Sequence, residues 1–146
     1  IDELARIFRV YGEERNARSI AEAIVDRRAN SPFSRTGELK ELVELVVPRR
    51  GKIHPATKIF QALRIVVNDE LGELERALPE LVSLLASGGR IAIISFHSLE
   101  DRIIKQFFKT DPNLNVITKR PVTASEKERG ENPRARSAKL RVAEKI

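Results

Sequence analysis

Apolar residues recur at helical spacing through the first third of the chain. Leu4, Ile7, Phe8 and Tyr11 fall at i, i+3, i+4 and i+7, and Ala17, Ile20, Ala21, Ile24 and Val25 repeat the same face. This pattern predicts two helices that meet at Gly12. The stretch Asn30-Ser31-Pro32-Phe33-Ser34-Arg35-Thr36-Gly37 is turn chemistry, with Ser34 or Thr36 available to cap a third helix whose apolar stripe is Leu39, Leu42, Val43 and Val46. Pro48 stops that helix, and the loop Pro48-Arg49-Arg50-Gly51-Lys52 predicts a domain boundary near His54.

From Ala56 the pattern predicts one long helix with Ile59, Phe60, Leu63, Val67, Leu71 and Leu74 on a broad apolar face, bent or restarted at Pro79 and ended at Gly88-Gly89. The period then changes. Ile91-Ala92-Ile93-Ile94 is a short continuous apolar run, which predicts a strand buried on both faces. Leu99, Ile103, Ile104, Phe107 and Phe108 return to one helical side, closed by Asp111-Pro112-Asn113. Two more strands are expected at residues 114–118 and 139–145, joined by a long polar loop over 121–138. A helix, a buried strand and a helix in succession argue for an α/β layer rather than a bundle. Three strands are too few for a complete doubly wound sheet, so strands supplied from elsewhere are expected.

Composition narrows the chemistry. The chain has 146 residues, no Cys and two His, which excludes disulfides, thiolate metal sites and Cys nucleophiles and leaves little for a histidine metal cluster. No metal site is expected. No apolar run is long enough to span a bilayer, and the first residue is Ile with no charged-then-apolar leader after it. The expectation is therefore a fragment without membrane contact, for which an intracellular location, cytoplasmic in the family reading below, is allowed. Net charge is +6, and residues 119–146 hold nine Lys or Arg against four Glu, so the excess is almost wholly C-terminal. Such a segment suits a polyanion, because neutralised phosphates release counterions; a solvated basic tail is the plainer alternative.

Three segments carry candidate chemistry. Ser95-Phe96-His97-Ser98 sits at the carboxyl end of the predicted strand, where open α/β sheets bind ligands. Ser98 and Asp101 also have the spacing of a helix cap, and a lone His is more often a structural hydrogen-bonder. Lys58, Gln61, Arg64 and Asn68 form one polar stripe on a helix, readable as phosphate contact or as ordinary surface. Arg134, Arg136, Lys139 and Arg141 place four cations within eight residues, where guanidinium forks suit phosphate oxygens; without interleaved aromatics, base stacking is not indicated there. There is no G-x-G-x-x-G, P-loop, G-x-S-x-G or H-E-x-x-H.

In this order, His54-Pro-Ala-Thr-Lys-x-Phe-Gln-Ala-Leu-Arg64 with Val67-Asn-Asp-Glu-Leu71, Gly88-Gly-Arg90, Ser95-Phe-His-Ser-Leu-Glu-Asp-Arg102 and Asn132-Pro-Arg-Ala-Arg-Ser-Ala-Lys-Leu-Arg141 resemble the bacterial 16S ribosomal RNA cytosine-N4 methyltransferase family, the MraW/RsmH type. Tyr11-Gly-Glu-Glu-Arg15 and Ile20-Ala-x-Ala-Ile24 resemble that family's helical insertion. The resemblance implies a partial Rossmann-like methyltransferase sheet, its second half, in residues 55–146, preceded by an all-helical RNA-recognition insertion in residues 1–54. It implies an enzyme that uses S-adenosylmethionine to methylate a cytosine of 16S rRNA in the small ribosomal subunit. The cofactor residues belong to an N-terminal half that this chain lacks, so no cofactor-binding residue is expected here and the chain alone should be inactive. Ser95, Phe96, His97 and Ser98 would then line the target-base side. Lys58, Arg64, Asn68, Arg134, Arg136, Lys139 and Arg141 would hold RNA. A homodimer, or pairing with the N-terminal half, would complete the sheet. The competing reading is a non-catalytic RNA-binding or assembly module using the same basic surface.

Overall fold

The computed structural model of the chain describes residues 1–49, 51 and 53–146. It forms two compact units, Ile1–Glu70 and Leu71–Ile146. Arg50 and Lys52 of the expected linker loop lie outside the described residues. No described helix is long and apolar enough to cross a membrane.

The first unit is helical: α1 (Asp2–Val10), α2 (Ala17–Asn30), α3 (Thr36–Val46) and α4 (Ala56–Val67). The predicted stripes form its core, in which Phe8, Ile20, Val43 and Ile59 are fully buried among Ala5, Ala17, Ala21, Ala56 and Ala62. The alanines let helix backbones approach closely. The approach is tightest at buried Gly12, where a Cβ would stand 2.7 Å from the Phe8 carbonyl oxygen and 2.8 Å from that of Lys58. The start of α3 differs from expectation. Arg35 takes the N-cap position, and the Glu38 carboxylate reaches back to accept from the Ser34 amide at 2.9 Å and hydroxyl at 3.2 Å. An N3 carboxylate therefore replaces the Ser or Thr cap.

Two boundaries also moved. The compact units part after Glu70 rather than near His54, because the buried face of α4 (Ala56, Ile59, Ala62) belongs to the first unit's core. The long helix breaks at Asn68 and Asp69, not at Pro79. Asp69 adopts φ 49°, a left-handed conformation that a short polar side chain tolerates. Helix α5 (Glu70–Ser83) runs through Pro79. Burial of Leu78 and Val82 on either side of the proline offsets the missing backbone hydrogen bond.

In the second unit α5 is followed by β1 (Arg90–Ser95), α6 (Ser98–Thr110), β2 (Leu114–Val116), β3 (Val122–Thr123), α7 (Glu126–Glu131), a 3-10 turn (Pro133–Ser137) and β4 (Lys139–Lys145). The fold class is thus mixed α/β. The sheet order is β1-β4-β2, with β3 also on β4, and every pairing is antiparallel. β1 and β2 consequently run parallel to each other with β4 inserted between them, a split β-α-β unit. Leu78, Val82, Ile104 and Phe108 pack against Ile91, Leu114 and Ala143 on one face of the sheet. The doubly buried strand is corrected here: burial alternates along β1, with Ile91 and Ser95 inside, while Ala92 and Ile94 look outward and Ile94 is 55% exposed. Among the described residues β1 pairs only with β4, so its second edge is open. The expected loop over 121–138 contains local structure instead. Ser125 caps α7 by accepting from the Glu128 amide, and Asn132 caps the 3-10 turn by accepting from the Arg134 amide.

Gly12→Ala should destabilise the first unit by about 1–3 kcal/mol, because two backbone carbonyls must separate to admit one methyl group. Urea denaturation measures this, and an unchanged midpoint would mean that the helices slide apart freely.

A candidate nucleic-acid-facing sheet edge

The register of β4 assembles two of the three candidate segments. Lys139 opposes Ser95 on β1 and Thr123 on β3, so the start of β4, the 3-10 turn before it and the segment 95–98 share one edge of the sheet. Ser95 is buried, with its hydroxyl 3.5 Å from the Lys139 carbonyl oxygen. Phe96 follows with its ring half exposed at that edge. Arg134 and Arg136 are exposed and have no carboxylate partner among the described residues. Along this edge lie an exposed aromatic ring and two guanidinium groups without a carboxylate partner among the described residues.

The cap of α6 is not the expected Ser98 and Asp101. His97 is the N-cap, its Nδ1 accepting from the Glu100 amide at 3.3 Å, while Glu100 Oε2 accepts from the amides of Phe96 at 2.9 Å and His97 at 3.3 Å. The signal was present in His97-x-x-Glu100, a capping-box spacing with His in place of Ser or Thr. The arrangement has chemical consequences. With the Nδ1 lone pair used as an acceptor, neutral His97 carries its proton on Nε2. Nε2 is buried and 3.4 Å from Glu100 Oε1, yet not aligned for a hydrogen bond. His97 is thus built to orient the turn. The turn also leaves no cradle for a cofactor. It contains no glycine, and the Glu100 amide of its first helical turn is taken by the His97 side chain, so this strand end lacks the glycine-rich cradle that S-adenosylmethionine would need.

Asp101 has a different partner. Its Oδ1 accepts from Arg141 Nε at 2.7 Å and its Oδ2 from Arg141 Nη2 at 3.1 Å, with Lys139 Nζ 3.5 Å from Oδ2. The Arg141 hydrogen bond holds the Asp101 carboxyl below the usual carboxylate range, against the opposing effect of burial. Arg141 is 6% exposed. This corrects its expected role: a buried fork already closed on a carboxylate is a structural tie, not a phosphate contact. Lys139, only partly buried, sits at the rim of the same pair.

The third segment lies in the first unit, and its polar stripe turns to the protein. Lys58 Nζ donates to the Glu13 carbonyl at 3.1 Å and Gln61 Nε2 to that of Tyr11 at 3.1 Å. Arg64 grips the Glu70 carboxylate at 2.7 and 3.2 Å, and Asn68 Nδ2 is 3.4 Å from the same group. The acidic partner missing from the stripe is supplied from beyond its end. Lys58, Arg64 and Asn68, expected to hold RNA, brace the turn between α1 and α2 and the end of α4 in this structure.

Comparison with known proteins places these features in context. The profile described as the MraW methylase family matches residues 1–146. The ribosomal RNA small subunit methyltransferase H of Heliobacterium modesticaldum is 52% identical over 99% of this chain and 53% of its own length. The protein of the same name from Synechocystis is 56% identical over 99% of this chain and 47% of its own, and that from Geobacter sulfurreducens is 50% identical over 99% and 53%. The chain thus spans about half the length of the curated relatives it matches.

Asp101→Asn should cost about 3–5 kcal/mol at neutral pH, since Arg141 would remain buried without its counter-charge. A depressed carboxyl contributes its stability above the unfolded value, near pH 4, and loses it as pH falls through the folded value. The difference between wild type and variant, measured by urea denaturation across pH, should therefore be level above about pH 4 and shrink below it. A difference that stays level into acid would refute an ionic origin.

Proposed function

The chain belongs to the MraW methylase family, and we propose that it forms the C-terminal portion of a cytoplasmic enzyme that methylates the N4 amino group of a cytosine in 16S ribosomal RNA, with S-adenosylmethionine as methyl donor. In this reading the N-terminal half, which brings the cofactor site, completes the sheet. The open edge of β1 and its outward Ala92 and Ile94 support this, because they present unpaired backbone and apolar surface to a missing neighbour. The observation that carries the assignment of the edge is the β4 register, which places Phe96 beside the strand start that follows Arg134 and Arg136.

The chemistry demands such an edge. A cytosine amino nitrogen is a weak nucleophile because its lone pair is delocalised into the ring, so the base must be unstacked and held with that nitrogen directed at the methyl group. The exposed ring of Phe96 gives an unstacked base a face to rest on. Arg134 and Arg136 hold flanking phosphates, Lys139 adds charge at the rim, Ser98 borders the base, and buried Ser95 backs the turn from within the sheet. His97, closed into the helix cap, sets the position of this turn. The residues that bind the methyl donor lie outside this chain, so the chain by itself is expected to bind RNA and transfer nothing. A non-catalytic RNA-binding module is the competing reading, favoured by the self-capped strand end.

In the full-length protein, Phe96→Ala should lower methyl transfer to small-subunit RNA at least tenfold, an effect of about 1.4 kcal/mol, while cofactor affinity stays unchanged. Arg134→Gln with Arg136→Gln should raise the RNA concentration needed for half-maximal rate. Transfer that is insensitive to all three substitutions would remove this edge from the active site. RNA binding without any transfer by the full-length protein would favour the non-catalytic module.

A further inference from the structure

Several surface cations of this protein face an acid. Arg6 pairs with Glu3, Arg18 with Asp2 and Glu22, Arg76 with Glu73 and Arg90 with Glu144. Three lysines of the second unit have no such partner and stand together. Lys105 and Lys109, one turn apart on α6, and Lys119, just beyond β2, line one depression of about 220 Å³ with Phe108, Val116 and Thr118. All three lysines are exposed, none has a carboxylate partner among the described residues, and no acidic residue lines the depression. Asp101, one turn before Lys105 on α6, is closed on Arg141 and Lys139.

Like charges at i and i+4 on a helix repel, and a third ammonium across the same hollow adds to the repulsion. The hollow is relieved by a ligand that brings several negative charges at once. Its lining offers little for reading a base: Phe108 is 2% exposed and cannot stack, and the Thr118 hydroxyl already accepts from the Val142 amide. Charge without base-reading groups fits a phosphate backbone. The position fits as well. The amides of Ile117 and Thr118 both bond the Val142 carbonyl, which carries the chain after β2 along β4 toward Lys139, the strand start opposite Ser95.

We propose that the hollow between α6 and the end of β2 is a second RNA-backbone site, in which Lys105, Lys109 and Lys119 hold phosphodiesters of the strand that leaves the Phe96 edge. It rests on the RNA reading above and extends it to residues that no motif marked. The sequence signal was the Lys105-x-x-x-Lys109 spacing, which gained meaning only when folding brought Lys119 to it.

The test uses the full-length protein and a single-stranded RNA with the small-subunit target sequence, with affinity measured from low to physiological salt. Replacing the three lysines by glutamine should weaken binding and flatten the slope of log affinity against log salt by about two, since each phosphate contact on single strands contributes about 0.7. Replacing them by arginine should preserve the wild-type slope, which separates lost charge from lost folding. An unchanged slope in the glutamine variant, while Arg134→Gln with Arg136→Gln weakens binding, would overturn this site and leave the RNA reading intact. Absence of salt-dependent RNA binding by the wild type would overturn both. Displacement of the RNA by an equal concentration of inorganic phosphate would also overturn it, in favour of a small-anion site.

Discussion

The buried pairing of Asp101 with Arg141 fastens the helical layer of the second unit to the central strand of its sheet. Arg141 lies on β4, the strand to which β1, β2 and β3 are all hydrogen-bonded, and Asp101 lies in the first turn of α6. One bidentate contact therefore sets where α6 crosses the sheet. An ion pair is a demanding choice there, since both charges leave water and each depends on the other's geometry. In return it is directional in a way that Ile104 and Phe108 are not, and it fixes the turn from which Phe96 projects.

The polar groups at that turn divide by what they already hold. His97, Glu100, Asp101 and Arg141 are engaged with one another's backbone or side chains and give the edge its shape. Phe96, Arg134 and Arg136 are not so engaged and face outward. The first group sets the position of the second, which is left open to a ligand. The same division separates the braced cations Lys58 and Arg64 in the first unit from the unmatched lysines of α6.

The open sheet is the other governing constraint. β1 has one paired edge, and its outward face carries Ala92 and Ile94 opposite Val142 and Leu140. Exposed backbone and apolar surface of this kind invite pairing with another segment. This agrees with a chain that spans about half the length of its curated relatives.

Local chemistry was legible in the sequence. The stripes through Phe8, Ile20 and Val43 and the strand at Ile91 depend on neighbours a few residues apart, and the ordered motifs around His54, Ser95 and Asn132 specified the family. Contacts between distant segments were not legible. Nothing in the spacing of Arg141 tells whether its guanidinium meets phosphate or Asp101, forty positions away. Asp69 broke a helix that Pro79 was expected to bend, because burial beside the proline outweighed local propensity. The continuous apolar run of β1 could not reveal that only one of its faces is covered here. Local periodicity determines which residues are able to face inward; only the tertiary structure decides which charges lose their freedom, because charge pairing depends on distances that the order of residues does not contain.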